Sequence, residues 1–189
     1  MAAAPRVLLR PPRAEDRAEF LAAVRRSRPL HRPWLYPPAD EKRYDAYLLG
    51  LESFSRTGFF VCLREGGEIA GVVNLSEIVR GGFQSAYLGY YAFVPFAGRG
   101  LMTEGLGLVL RHAFHRMGLH RLEANIQPEN RSSIALVERL GFRKEGFSPR
   151  YLKIGGRWRD HERWAVLREG WRAPSGDSSK WARRSAASS

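Results

Sequence analysis

The chain has 189 residues, 44% of them hydrophobic, with one cysteine and a formal net charge of +12 at pH 7. That length sets one domain as the expectation, and the composition suits a packed globular core. A single thiol excludes an internal disulfide. The longest apolar run is too short and too glycine-rich to span a bilayer, and the opening MAAAPRVLLR lacks the basic-then-apolar order of a secretory signal, so a cytoplasmic protein with no membrane association is expected. The positive charge attracts polyanions, but the arginines are scattered along the chain, which fits a soluble surface first.

In chain order, residues 6–10 (RVLLR) read as a short strand, and residues 13–28 as an amphipathic helix with Phe20, Leu21 and Val24 on one face. A proline-punctuated loop over 29–38 carries Trp34 and Tyr36. A second helix is expected over roughly 40–56. The pattern then turns to strands: FFVCLRE and EIAGVVNLSEIV flank Gly66 and Gly67, a hairpin signal. Another turn at 81–83 precedes a strand over 85–94. Apolar residues at 102, 106, 109, 110, 113 and 117 have helical spacing, and Gly118 marks the stop. Residues 121–126 alternate like a strand. A short helix follows, with Asn130 as its N-cap and Gly141 as its stop. Two final strands hinge at Gly155 and Gly156. Residues 172–189 are small, polar and basic and read as a tail, so the domain is expected over 1–171.

The strand at 85–94, the helix at 101–117 and the strand at 121–126 form a β-α-β crossover, which is expected to be right-handed and parallel. The fold class is therefore mixed α/β: a mostly antiparallel sheet with one parallel pair, flanked by helices.

The chemistry concentrates in VPFAGRGLMTEGL at 94–106. A helix N-terminus has unpaired N–H groups and partial positive charge, and glycines before it let backbone approach an anion. Residues 97–103 can thus face a pyrophosphate, although Gly-x-Gly also serves simply to make a turn. No Lys-Ser pair follows the glycines, which argues against a triphosphatase loop, and the third glycine of a dinucleotide fingerprint is missing. No His/Cys cluster has metal-ligand spacing, and no metal is expected.

Together with NRSSIALVERLGF at 130–142, the loop FAGRGLMTE resembles the two coenzyme A motifs of the GNAT acetyltransferase superfamily. With YLGYY before them and YLKIGGRWRDH after, the pattern is similar to its ribosomal-protein-alanine N-acetyltransferases, the RimJ type. The resemblance implies a GNAT fold in which the parallel strands splay around the pantetheine arm of acetyl-CoA, which pairs with strand backbone around Ala92–Val94, Phe93 and Val94 included. It implies that the N–H groups of Gly98, Arg99, Gly100, Leu101 and Met102, with Thr103, hold the diphosphate, and that Asn125 and Asn130 line the other side. It implies acetyl transfer to an amine by direct attack. The implied acceptor is the N-terminal α-amine of a protein such as a ribosomal protein, with ribosome association a further expectation. Acetylation of a small amine (an antibiotic, a polyamine or an amino-acid derivative) stays open as the alternative, as does a non-catalytic acyl-CoA-binding or RNA-associated module.

Catalytic roles stay open between two readings at each position. A strand N–H near Phe93 or Val94 can stabilise an oxyanion. Val137 stands where many members carry a tyrosine that protonates the leaving thiolate, so Ser133 is the candidate donor, or else an ordinary first-turn serine. Glu77 is a candidate base through water, or an exposed strand-end glutamate. His161 beside Asp160 is a candidate acid–base pair, or a structural one. Trp34 and Tyr36 either wall the acceptor site or pack a loop. Cys62, isolated in mid-strand, reads as structural.

Overall fold

The structure, a computed structural model, describes residues 5–172. Its elements are β1 (Val7–Arg10), a 3-10 turn (Ala14–Asp16), α1 (Arg17–Arg26), α2 (Arg28–His31), α3 (Glu41–Leu51), β2 (Thr57–Leu63), β3 (Ile69–Val79), β4 (Ser85–Ala92), α4 (Leu101–His115), β5 (Arg121–Ile126), α5 (Arg131–Arg139), β6 (Arg143–Ile154) and β7 (Arg157–Leu167). Seven strands make one sheet in the order β1-β2-β3-β4-β5-β7-β6. Every neighbouring pair is antiparallel except β4 and β5, which run parallel across the α4 connection. The mixed α/β expectation holds.

Alternation along the strands divides the core in two. Val61, Val73 and Leu122 pack on one face against Leu106, Val109 and Leu110 of α4 and Ile134 and Val137 of α5. Phe60, Val72 and Phe93 pack on the other against Phe20 and Val24 of α1 and Tyr44 of α3. Phe20 is the hub of the second cluster, with its ring 4.8 Å from Tyr44, 5.7 Å from Phe60 and 5.8 Å from Phe93. Truncating such a ring costs about 3–5 kcal/mol.

Three elements depart from expectation. The helix expected over 13–28 is broken at Ser27, after which Pro29 starts a separate turn of helix, α2. The helix expected over 40–56 ends at Leu51, because Ser53 takes over the next backbone donors: its Oγ accepts from the Ser55 N–H and its carbonyl from that of Arg56. The strand expected over 85–94 ends at Ala92, where the Phe93 carbonyl turns back to accept from the N–H groups of Phe96 and Ala97.

The feature that positions the site is a short parallel pairing. β4 and β5 are in register only at Ser85–Arg121, Ala86–Leu122 and Tyr87–Glu123. Beyond these pairs β4 stays with β3 as far as Gly71–Ala92, and β5 stays with β7 as far as Ile126–Glu162. The two central strands therefore open into a wedge, with the N-terminus of α4 at the end of β4.

Candidate active site

The loop between β4 and α4 is a bed of free amides. Among the described residues, no backbone or side-chain acceptor takes the N–H of any residue from 98 to 103. Gly98 and Gly100 make this possible by adopting φ of +76° and +77°, a left-handed conformation that L side chains resist. The side chains of Leu101 and Met102 are buried in the core, so these residues present only backbone to the loop. A carboxylate in the first turn would repel an anion, but Glu104 is held by Arg6, which pairs with it at 2.5 Å and also donates to the Arg99 carbonyl at 3.1 Å. The Arg99 guanidinium is 5.9 Å from the centre of the Phe96 ring and forms no ion pair among the described residues.

Within the wedge, the ladder of β3 and β4 decides which amides are available. The Phe93 N–H donates to the Ala70 carbonyl at 2.8 Å. Antiparallel alternation then turns the odd residues of β4 toward β3, and directs the N–H groups of Tyr90 and Ala92 into the wedge. The Val94 N–H donates to Ser27 Oγ at 2.9 Å. The oxyanion donor was expected near Phe93 or Val94. Phe93 and Val94 both have their amides occupied, and Ala92, one residue earlier, supplies the inward-facing one.

On the α5 side, Asn130 caps the helix. Its Oδ1 accepts from the Ser133 N–H at 3.2 Å and from Ser132 Oγ at 3.0 Å, so that oxygen is committed to the fold. Ser133 is not a solvent-facing serine. Its Oγ is 2.6 Å from Tyr90 Oη, and burial holds the Tyr90 phenol well above its usual range, so it remains protonated. Val137 is fully buried in the core, so a tyrosine there has no equivalent at the wedge. Asn125 reaches the wedge from β5 with a buried Oδ1 that has no partner among the described residues.

A cavity of about 360 Å³ lies in the wedge: Asn125, Asn130 and Ser133 line one side, none of residues 92–103 is in its lining, and the loop after α2 closes the other side. Trp34 and Tyr36 line it there, together with Leu152 and Ile154 of β6 and His161 of β7. The loop is fastened by Gln127 Nε2, which donates to the Trp34 carbonyl at 3.1 Å, and by Arg32, whose guanidinium stacks 3.7 Å above the Tyr36 ring. None of the described residues lining the cavity carries a carboxylate.

His161 is only 2% exposed, and burial lowers its pKa below the ordinary histidine value. Its Nδ1 is 2.9 Å from the Arg159 carbonyl. A carbonyl only accepts, so Nδ1 carries the proton and the lone pair sits on Nε2. Asp160 is not its partner: alternation sends that side chain the other way, where it accepts from the Arg150 N–H at 2.7 Å. Glu77, the other candidate base, is not brought to the cavity. It is exposed at a bulge between Ser76 and Val79, where φ is +49°, and it lies outside the cavity lining. Cys62 is buried on the α1 face of β2, away from the wedge. Among the described residues, no group of three or more His, Cys, Asp or Glu is placed to hold a metal ion.

Comparison with known proteins now decides the family. The model of the GNAT acetyltransferase domain matches residues 6–143. The chain belongs to the GNAT acetyltransferase family. It is similar to a probable N-acetyltransferase of Bacillus subtilis, YjcK, with 38% identity over 126 residues, 67% of this chain and 70% of that protein. It is 44% identical over 104 residues to the Escherichia coli ribosomal protein uS5-alanine N-acetyltransferase, an alignment covering 55% of this chain and 54% of that protein. Among solved structures, Mycobacterium smegmatis RimJ in complex with CoA-disulfide superposes with a TM-score of 0.83 at 29% identity, over 94% of this chain and 90% of that one. The chain is thus a GNAT-type N-acetyltransferase, a family whose acyl donor is acetyl-CoA. Among the described residues no helix is long and apolar enough to cross a membrane.

Sequence reasoning missed Tyr90, Ser27 and His31. The only signal for Tyr90 was its place in an alternating strand, one step out of phase with Tyr91.

Proposed function

We propose that the chain transfers the acetyl group of acetyl-CoA to the N-terminal α-amine of a cytoplasmic protein. The Escherichia coli relative named for acetylating ribosomal protein uS5 supports a ribosomal protein as acceptor. The observation that carries the reading is the run of six unpartnered amides at the mouth of a wedge whose far side holds a neutral histidine.

In this reading residues 98–103 bind the diphosphate through their N–H groups, and Thr103 adds a hydroxyl. The unpaired edge of β4 at Tyr90 and Ala92 binds the pantetheine arm, with Asn125 across the gap. The Ala92 N–H faces the thioester oxygen, where negative charge develops as the amine attacks. Nε2 of His161 takes the proton that the amine loses. Ser133, backed by Tyr90, donates a hydrogen bond to the departing sulfur, which needs little help because a thiol has a reference pKa of about 8.5.

Acid–base chemistry favours the α-amine. Its reference pKa of about 7.7–8.0 leaves a useful neutral fraction at pH 7.5, whereas neutralising a lysine of about 10.4 costs roughly 4 kcal/mol. A polyamine fits poorly, because its distal ammonium groups would meet a lining without carboxylates. Two matched peptides test the reading, one with a free N-terminus and no lysine, the other N-blocked with one lysine. Mass spectrometry is expected to find acetyl on the first only, and preference for the blocked peptide would overturn the assignment.

A further inference from the structure

Where β4 loses β5 as a neighbour, two buried side chains from the α1–α2 elbow take the place of the missing strand. Ser27, the residue at which α1 gives way to α2, is fully buried, and its Oγ accepts the Val94 N–H at 2.9 Å. His31, one turn later and 3% exposed, has Nε2 2.7 Å from the Ala92 carbonyl. Because that carbonyl only accepts, His31 donates through Nε2 and is the tautomer with a bare Nδ1, an atom that is itself buried without a partner among the described residues. The ring is locked in place edge-on, 5.3 Å from Tyr91, and 5.8 Å from Phe93.

These two bonds grip the same edge of β4. Val94 and Ala92 are both even-numbered, and the even residues are those turned toward the wedge. The clamp engages one group on either side of the Ala92–Phe93 and Phe93–Val94 peptides and leaves the Ala92 N–H between Tyr90 and the clamp. Fixing the Ala92 carbonyl plane and the next inward-facing amide fixes the course of the strand end, and with it the position of the Ala92 N–H. We infer that Ser27 and His31 are positioning residues for acetyl transfer, holding the end of β4 away from β5 so that the Ala92 amide faces the thioester. The inference rests on the placement of the thioester in the wedge given under Proposed function.

Side-chain replacement separates positioning from packing. His31→Leu keeps an apolar body and removes the donor, whereas His31→Gln restores an amide N–H near the position of Nε2. His31→Leu is expected to lower kcat about tenfold or more with the KM for acetyl-CoA changed less than about threefold, and His31→Gln is expected to recover most of the rate. Ser27→Ala and Ser27→Thr form the same pair at the other end of the clamp and carry the test if His31→Leu does not fold. Amide NMR with CoA supplies a readout independent of turnover. The Ala92 resonance is expected to shift on CoA addition in the wild type, and to shift less in His31→Leu and Ser27→Ala. A folded His31→Leu protein with wild-type kcat, or a His31→Gln protein as slow as His31→Leu, would overturn the clamp. An Ala92 amide that ignores saturating CoA in the wild type would instead remove the placement of the thioester beneath it.

Discussion

The two sides of the wedge are made of different materials. The mouth at the start of α4 is backbone, a contiguous run of N–H groups over 98–103 whose side chains mostly point elsewhere. The far side, proposed for the acceptor, is side chain, gathered from the loop after α2, from α3, and from β3, β5, β6 and β7. Backbone donors survive almost any substitution and can only be blocked or bent. Side-chain groups can be deleted one at a time while the fold stays intact. The mouth is thus expected to respond to changes of shape and charge, and the acceptor side to changes of chemistry.

The strongest way to break this contrast is Gly100→Glu. It forces a side chain into a left-handed conformation, costing about 1–3 kcal/mol, and sets a negative charge beside the diphosphate. Calorimetry is expected to show CoA affinity reduced by at least about 100-fold in the folded variant, whereas Thr103→Val, which spares the backbone, is expected to lose only a few-fold.

On the acceptor side, His161→Ala is expected to lower kcat/KM about 100-fold with CoA affinity retained, the scale of a lost general base. Burial holds His161 below the ordinary histidine value, so it stays neutral and able to take a proton further into the acid range. The acid limb of the wild-type kcat profile, which reports the complex with the neutral amine already bound, is therefore expected to lie below the usual histidine range, and to disappear in the variant. Ser133→Ala is a smaller change: about tenfold in kcat, little in CoA binding, with Tyr90→Phe weaker still.

Stability offers a milder test. His31 and His161 are both buried in the neutral form, so the unfolded chain binds more protons than the folded one once the pH falls below about 6.5. Stability is then fully present above that value and is lost toward acid, by up to about 1.4 kcal/mol per pH unit for each histidine. Thermal melts from pH 7 to pH 5 are expected to show Tm falling, with a shallower slope in His161→Gln. The smallest effect belongs to Cys62→Ala. Its thiol is buried off the wedge and burial raises its pKa, so turnover is expected within about twofold of wild type and no acetyl-cysteine should be detected by mass spectrometry.

The same contrast explains what could be read in advance. Residues 98–103 are neighbours in the chain, and a glycine pair between a strand and a helix signals a tight connection with exposed amides, so the conformation of the mouth was legible. So was the parallel pair, because a β-α-β crossover admits little else. An oxyanion donor was expected near Phe93 or Val94, whose N–H groups are taken by the Ala70 carbonyl and Ser27 Oγ, and the role is proposed for Ala92 instead. The direction of the Ala92 amide depends on its pairing with Gly71, 21 residues away, and one step along a strand reverses the direction of every amide. The Asp160–His161 dipeptide suggested a pair, but adjacent residues on a strand face opposite ways. Glu77 was expected near the acceptor because the bulge that expels it depends on how β3 meets β4. Ser27 and His31 carried no signal, since only the break at Ser27 turns both toward β4.

The central claim is that the free amides at the start of α4 hold the diphosphate of the acyl donor, and titrating the 15N-labelled chain with CoA addresses those atoms one by one. The account predicts saturable shifts that are largest at the amides of residues 98–103 and appear next at Tyr90 and Ala92. Saturable CoA binding that leaves the resonances of residues 98–103 unmoved would contradict it.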